Sequence, residues 1–556
     1  MISRINNVLL RLSKRAESNA RAALIQTFVD VGPLSTLLTA TDHQIVYGRR
    51  GTGKTHAFAF LANIQESNGD VAVSVDLRNI GSSGGIYSDT TRDLTDRATC
   101  LLVDTLAAIH EQLYGYFLTC PTAPDLSQSG PAIDELADAI TEVMVVGSVE
   151  REEHTSRSRT EGSNVDLAID ISTGLPTARA SHSSEVRAGR QDIERVVRSG
   201  SERLHVNFGS TGAAFRRITD LLSPHRLWVL LDEWSSLPLD LQPYLADLLR
   251  RSLLPTSGIT VKIAAIDQRS SFQLRHESSD YLGIEVGADA AADIDLDDFM
   301  VFDNDAKRAK SFFQDLICRH AQAIAAGTEY EKDIAVDSAE LIRAAFTQTR
   351  AFEEFVRASE GVPRDAINIL STAAQLALEK QISVEHIRVA ARKWYQRDKD
   401  KSVSANPTAH DLLHQIIDTV IGERRARAFL LQSGISHPLI DALHDARVLH
   451  VLKRNISTHD QPGIRYDVYK LDYGCYVDLI ATSKEPLGLL PGEDDLGQGA
   501  YIEVPPDDYR SIRRAILDLS KISQVKEAKR RMQPTLFTFA ADTERSTTHE
   551  QFNRGD

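Results

Sequence analysis

The residues best equipped for chemistry lie in one octapeptide. Gly48-Arg49-Arg50-Gly51-Thr52-Gly53-Lys54-Thr55 fits the pattern G-x-x-x-x-G-K-[ST] in full, a spacing suited to cradling phosphates. The glycines let the backbone curl until successive N–H groups aim at one anion. A helix starting at this point would add its positive end. In such a cradle Lys54 reaches the β- and γ-phosphates and the Thr55 hydroxyl binds Mg²⁺. With His56, the next residue into the helix, Gly48 to Thr55 forms the candidate nucleotide-binding segment.

A second cluster, Asp232-Glu233, closes the apolar run Leu227-Trp228-Val229-Leu230-Leu231. A buried strand ending in two carboxylates delivers them to the C-terminal edge of a parallel sheet, where ligands bind. Asp232 would hold Mg²⁺ with Thr55, and Glu233 would orient and deprotonate the attacking water, so hydrolysis is the implied chemistry. The next strand ends Ile266-Asp267-Gln268-Arg269. Asp267 or Gln268 would sit between the γ-phosphate and the water. Arg269 or Arg275 could report the γ-phosphate in its own subunit or a neighbour's, with Arg250 and Arg251 as further candidates. Gly361-Val362-Pro363-Arg364 punctuates a helix start, since proline is tolerated in the first turn. An arginine there gains nothing from the helix dipole, so an anionic partner would explain Arg364. No N-K-x-D element is present, and nothing points to guanine.

These residues need a sheet to hold them. Gln44 to Tyr47 reads as a short buried strand before the loop, and His56 to Ala62 as the first turns of a helix after it. Val71 to Leu77 is a second strand, followed by a helix over about 89–118. Leu227 to Leu231, apolar throughout, suits a strand buried on both faces. A helix over Leu241 to Leu254, a strand over Ile259 to Ile266 and an edge strand over Ala292 to Phe299 follow. Such alternation implies an α/β fold with a parallel sheet. Residues 120–205 interrupt it. Within them Val149 to Arg203 is rich in Ser, Arg, Glu and Thr and holds one alternating piece, Val165 to Ile171. This insertion is either a β-hairpin arm or a largely disordered loop. After residue 304 only helical periodicity remains, over about 305–326, 336–348, 351–360, 364–379 and 384–398. Ser383 is the N-cap of the last, and a polar linker runs from Arg397 to Thr408.

The resulting division is a helical lead-in (1–43), an α/β core with its insertion (44–304), an all-helical lid (305–400), a C-terminal module (409–486), and a basic helix with a polar tail (487–556). A chain of 556 residues has room for three or four domains. With 42% hydrophobic and 25% charged residues it has the composition of a soluble globular protein. Cys100, Cys120, Cys318 and Cys475 form neither a zinc spacing nor a disulfide framework. No signal-peptide pattern and no run of eighteen apolar residues appears, so a cytoplasmic location without membrane contact is expected. The net charge of −15 repels a phosphate backbone at long range and leaves nucleic acid to local basic patches.

The 409–486 module has a winged-helix pattern. Asp411 to Ile421 would be its first helix and Pro438 to Ala446 its second. Two strands, Arg447 to Ile456 and Ile464 to Leu471, are joined by a polar turn with Pro462-Gly463. The helix due to enter a major groove, His437 to Arg447, carries Asp441 and Asp445 and a single arginine, whereas base readers want Arg, Lys, Asn or Gln. Lys453, Arg454 and Arg465 could touch phosphates. Duplex DNA and a protein partner stay equally open for this module. The most basic stretch is 510–531, with Arg510, Arg513, Arg514, Lys521, Lys526, Lys529, Arg530 and Arg531 against Asp518 and Glu527; it either binds nucleic acid or is a solvated helix face.

In this order the loop, the Asp-Glu strand and the Gly-Val-Pro-Arg element resemble the AAA+ ATPases, over residues 40 to about 400. Lid plus C-terminal domain is most similar to the origin-recognition branch of bacterial and archaeal AAA+ proteins. There is also a likeness to the STAND signalling ATPases, in which an arginine placed as Arg269 is follows the Asp-Glu strand's neighbour. The resemblance implies a P-loop NTPase core with ATP and Mg²⁺ as cofactors, Arg364 as a γ-phosphate contact from the lid, and nucleotide-dependent homo-oligomers. Two functions follow from it. One is an ATP-hydrolysing switch that acts on DNA or a DNA-bound partner. The other is a slow signalling scaffold, for instance in bacterial immunity against phage, with a separate effector protein.

Overall fold

The computed structural model describes residues 2–12, 20–80, 87, 89, 91–140, 143–153, 194–204, 206–275, 281–301, 305–334, 337–423, 427–434, 437–457, 463–482 and 516–517. Along the chain, α1 (Ile2–Leu10), α2 (Arg21–Thr27) and α3 (Leu34–Leu38) precede β1 (Gln44–Tyr47). The core continues with α4 (Lys54–Ser67), β2 (Val71–Asp76), α5 (Leu94–Thr119), α6 (Leu126–Ile140), β3 (Val143–Glu153), β4 (Glu194–Leu204) and α7 (Phe208–Leu222). Then come β5 (Leu227–Asp232), α8 (Gln242–Leu248), β6 (Ile259–Ala265), the small pair β7 (Gln273–Arg275) and β8 (Tyr281–Gly283), and β9 (Ala291–Asp295).

Five strands form the main sheet in the order β2-β5-β6-β1-β9, and every pairing is parallel. This topology sets the site. β1 carries the loop, β5 carries Asp232 and Glu233, and β6 lies between them, so the ends of all three converge. β5 is buried at all six positions. Its alternate residues feed two cores: Trp228 and Leu230 meet Val46, Phe58 and Leu61 on one face, while Leu227, Val229 and Leu231 meet α5, α7 and α8 side chains on the other. Burying each such side chain contributes about 2 kcal/mol. β2 is an edge strand whose free side is closed by one side chain. Gln112 on α5 accepts from Ser74 N at 2.9 Å and donates to Ser74 O at 2.6 Å, as a neighbouring strand would.

The lid is α9 (Leu296–Met300), α10 (Ala306–Ala325), α11 (Ser338–Ala345), α12 (Thr349–Ala358), α13 (Pro363–Ala377) and α14 (Val384–Trp394). Ser383 caps α14 in a reciprocal arrangement with His386. The lid shares one apolar cluster with the loop-side face of the sheet, running from Trp228 through Phe58, Phe312 and Phe355 to Ile387. α15 (Asp400–Ser404), α16 (Pro407–Ile416), β10 (Ala428–Gln432), α17 (Pro438–Asp445), β11 (Leu449–Ser457), β12 (Arg465–Leu471) and α18 (Tyr473–Thr482) complete the chain's described elements. The C-terminal sheet is antiparallel in the order β10-β12-β11.

Several elements differ from expectation, each for a local reason. β9 ends at Asp295 rather than Phe299, because the Asp295 carboxylate accepts from Asp297 N at 3.0 Å and starts α9. α1 belongs to the lid rather than leading into β1. Asn6 Nδ2 donates to the carbonyls of Leu378 at 2.6 Å and Lys380 at 2.9 Å, and Ile5, Val8 and Leu9 are buried there. The expected linker from Arg397 is helical, since Tyr395 and Lys399 are buried between lid and C-terminal domain. β10 has no counterpart in the sequence reading, although Phe429-Leu430-Leu431 is an apolar run. In the insertion, β3 and β4 form an eleven-pair antiparallel ribbon, as the arm reading expects. Val165 to Ile171 and most of 510–531 lie outside the described residues. The two residues described in the latter, Ile516 and Leu517, are extended rather than helical, bridging Leu430.

Candidate nucleotide site

The loop closes on itself between β1 and α4. Gly53 sits at φ 97° and caps α4, a conformation that costs a residue with a Cβ about 1 kcal/mol or more. Gly51, at φ 86°, lies so close to the lid that an added Cβ would stand 2.7 Å from Arg364 Cβ. Lys54 is buried and donates to the carbonyls of Gly48 at 2.7 Å and Arg49 at 3.0 Å. Burial pulls its ammonium below its ordinary pKa, against the pull of Asp232 and Glu233. An anion is the partner that would compensate such a charge.

Thr55 Oγ1 donates to Asp232 Oδ2 at 2.6 Å, joining the loop to the end of β5. Burial raises the Asp232 pKa, and the Thr55 hydrogen bond opposes it. Hydroxyl and carboxylate are both hard oxygen donors facing one another, the donor set Mg²⁺ prefers. Glu233, next along, takes the left-handed conformation at φ 60°, strain of the kind stored at functional sites. Its carboxylate accepts from Ser236 Oγ at 3.2 Å and lies 3.8 Å from Arg78 Nη1. Arg78 is itself held by Asp76 at 2.7 Å. An open cleft lined by Thr55, Asp76, Arg78, Asn79 and Asp232 leads to this point.

The structure brings Lys54, Thr55, Asp232 and Glu233 together. It seats the lid on the loop as well, with Arg364 N donating to Gly51 O at 3.2 Å. Asp267, Gln268 and Arg269 form a single turn at the end of β6, held to the turn that follows β5 by Ser235 Oγ, which accepts from Ile266 N at 2.7 Å. Asp267 and Arg269 face the C-terminal domain: Arg454 donates to Asp267 at 2.6 Å, and Arg269 pairs with Asp445 at 3.1 Å. The helix expected to read bases, α17, is thereby turned toward the core. His444 is buried and its pKa is pushed down to about 3 by burial and Arg49. Arg447 is buried between Asp365 and Asp398. Arg49 turns outward from the cradle, its N–H and guanidinium both on Asp297, while Arg50 is exposed. His56 points at the N-terminal segment, contacting Leu24 O and Thr27.

Sequence reasoning missed two features. A partly open pocket lies beside the loop, lined by Phe28, Val31, Thr52, Gly53, His56, Met300, Phe312 and His320. Burial lowers the pKa of both histidines, that of His320 to about 4, so both rings are neutral at pH 7. A flat, uncharged heterocycle suits such a lining. The apolar residues just before β1 were its only sequence signal. The second is a buried ionic cluster. Glu360 binds Arg427 and Lys470, and Lys399 bridges Asp365 at 2.7 Å and Asp472 at 2.6 Å. Glu360, His450 and Asp472 lie close enough to share a metal, but these cations and Arg49 already neutralise them.

The fold is an α/β core in which the glycine-rich loop and the facing Thr55–Asp232 pair meet at one edge of a parallel sheet. No family model matches the chain, and no curated protein matches it. Among solved structures it is similar to the Aeropyrum pernix Orc1 protein in complex with DNA, at 13% identity and a TM-score of 0.28, covering 83% of this chain and 96% of that one. So distant a likeness assigns nothing, and the functional reading rests on the residues themselves. No helix among the described residues is long and apolar enough to cross a membrane.

Proposed function

We propose that the protein is a Mg²⁺-dependent ATPase of the AAA+ type, in which lid and C-terminal domain close over the phosphate loop. The observation that carries this is the Thr55–Asp232 hydrogen bond at 2.6 Å beside buried Lys54. Lys54 and the loop N–H groups bind the β- and γ-phosphates. Thr55 and Asp232 hold Mg²⁺, which supplies charge neutralisation on the phosphate oxygens. Glu233 takes the proton of the attacking water, and the cavity between Phe28 and His320 receives the adenine. Asp267 and Arg269, at the end of β6, complete the γ-phosphate side once Arg454 and Asp445 release them. Arg364 enters from the lid. Expected results are MgATP hydrolysis by the full chain and its loss in Lys54→Ala; unchanged ATP binding in that variant would refute the reading.

The target is duplex DNA or a DNA-bound partner, reached by the C-terminal domain after it leaves the core. The placement of α17 against the core favours a second reading, a STAND-like scaffold in which nucleotide holds an assembly state with slow turnover and a separate effector. ATPase rates with and without duplex DNA at two salt concentrations distinguish them. Stimulation that fades with salt supports DNA. Nucleotide-dependent oligomerisation at unchanged low turnover supports the scaffold.

A further inference from the structure

The second position of a phosphate loop needs no particular side chain, yet here it holds an arginine only 4% exposed. Burying a guanidinium is costly unless every donor is matched. Arg49 finds its matches in three separate parts of the chain. Nε donates to Asp297 Oδ1 at 2.9 Å, at the start of the lid. Nη2 donates to the Glu360 carbonyl at 2.9 Å, one turn before Arg364. Nη1 donates to His450 Nδ1, on β11 of the C-terminal domain. The Arg49 backbone N–H is also held, by Asp297 Oδ2 at 3.0 Å.

His450 suits the role of receiver. Its Nε2 donates to Asp472 Oδ1 at 3.1 Å, which fixes the tautomer and leaves Nδ1 an acceptor. Asp472 in turn accepts from Lys399, which also holds Asp365 in the first turn of α13. That helix's Arg364 N–H rests on Gly51 of the loop. The loop, the lid and the C-terminal domain thus form one closed circuit of buried polar bonds. The C-terminal domain cannot leave without unpairing Arg49, and the loop cannot uncurl at Arg49 without unpairing His450.

We propose that Arg49 is a positioning residue that couples nucleotide binding to docking of the C-terminal domain, acting through His450 rather than on a phosphate. The proposal rests on the nucleotide-binding reading above. Docking holds the loop curled and so favours bound ADP, which has no γ-phosphate to draw Asp267 and Arg269 from the docked domain, and bound ADP favours docking by the same factor.

The test is a double-mutant cycle on the full chain, read by titration with a fluorescent ADP analogue and by hydrogen exchange of β11. Arg49→Ala and His450→Ala are each expected to weaken ADP binding by about ten-fold, and the double variant no further than the weaker single. His450→Gln, whose amide can accept from Arg49 and donate to Asp472, restores affinity to within about three-fold. ADP slows β11 exchange in the wild type and not in Arg49→Ala. Where Arg49→Ala fails to fold, Arg49→Lys replaces it, keeping the charge and losing the fork, with the same loss of coupling expected. The proposal is overturned if the single effects multiply to about a hundred-fold in the double variant. Unchanged ADP affinity in His450→Ala would overturn it equally. Failure of the nucleotide reading looks different: wild type that binds no ADP, or Lys54→Ala that binds it normally, removes both claims.

Discussion

Lys399→Met is the most informative test of what holds the domains together. Lys399 is 1% exposed and bridges Asp365 at 2.7 Å and Asp472 at 2.6 Å. Removing one partner of a buried ion pair costs about 3–5 kcal/mol, because the other charge stays buried and uncompensated. Two carboxylates are affected, but neither is left alone: Asp365 keeps Arg447 at 3.6 Å, and Asp472 keeps His450 at 3.1 Å. The expected loss is therefore about 3–5 kcal/mol rather than twice that, a large part of a typical total stability of about 5–15 kcal/mol. The pH dependence adds a second signature. Burial pushes the Asp365 pKa up, yet Arg447 and Lys399 outweigh it and hold the carboxyl below its ordinary value. The stability this gives the wild type is present above the unfolded pKa of about 3.9 and is lost as pH falls through the lower folded value. Without Lys399 burial dominates, the folded pKa moves above the unfolded one, and stability falls as pH rises through that interval. Urea denaturation followed by tryptophan fluorescence at pH 5 and pH 8 should show a deficit in the variant that is larger at pH 8. A deficit under about 1 kcal/mol, the size of an exposed pair, or one that does not grow with pH would refute the reasoning.

Further predictions concern the site itself. Thr55→Ala removes a hydroxyl from the Mg²⁺ position and should raise the Mg²⁺ needed for half-maximal hydrolysis about ten-fold or more, with ATP binding at saturating Mg²⁺ retained. Arg78→Ala frees Glu233 from its 3.8 Å contact and should raise kcat with KM unchanged; a fall in kcat would show that Arg78 helps position the base. Val31→Trp fills the cavity beside the loop and should weaken adenine nucleotides while leaving inorganic triphosphate binding intact, as read by competition titration. His444 and His450 are both held neutral in the docked domain, by burial first and by Arg49 next. Their folded pKa values lie below the unfolded value, so this contribution is present above pH 6.5 and lost as pH falls, by about 1.4 kcal/mol per pH unit per histidine. Exchange of β11 should accelerate between pH 7.5 and pH 5 after correction for the intrinsic rate.

The parts of the fold legible in the sequence were those with local signatures. Leu227 to Asp232 is apolar over a whole strand and then abruptly acidic, and the loop has a fixed pattern, so both could be found without a partner. Ser383 announced α14 by the same logic. What escaped depended on partners distant in sequence. Lys399 looks like part of a polar linker until Asp365 and Asp472 are set beside it, which is why Arg397 to Thr408 read as a linker although most of it is helical. Arg49 is a variable position in the loop pattern, and nothing nearby announces Glu360 or His450. The segment His437 to Arg447 read as the helix due to enter a major groove, with two aspartates and one arginine that suit base reading poorly; in the fold Asp445 meets Arg269 and Arg447 meets Asp365. The cavity beside the loop is assembled from the N-terminal segment, the loop and α10, three pieces with no shared periodicity.

The most direct test of the central claim is phosphate release from MgATP by Glu233→Gln, measured beside ATP binding in the same preparation. The account predicts ATP affinity like that of the wild type and hydrolysis about a hundred-fold slower or less, because the carboxylate that takes the water's proton is gone while Lys54, Thr55 and Asp232 remain. Hydrolysis at the wild-type rate would contradict it.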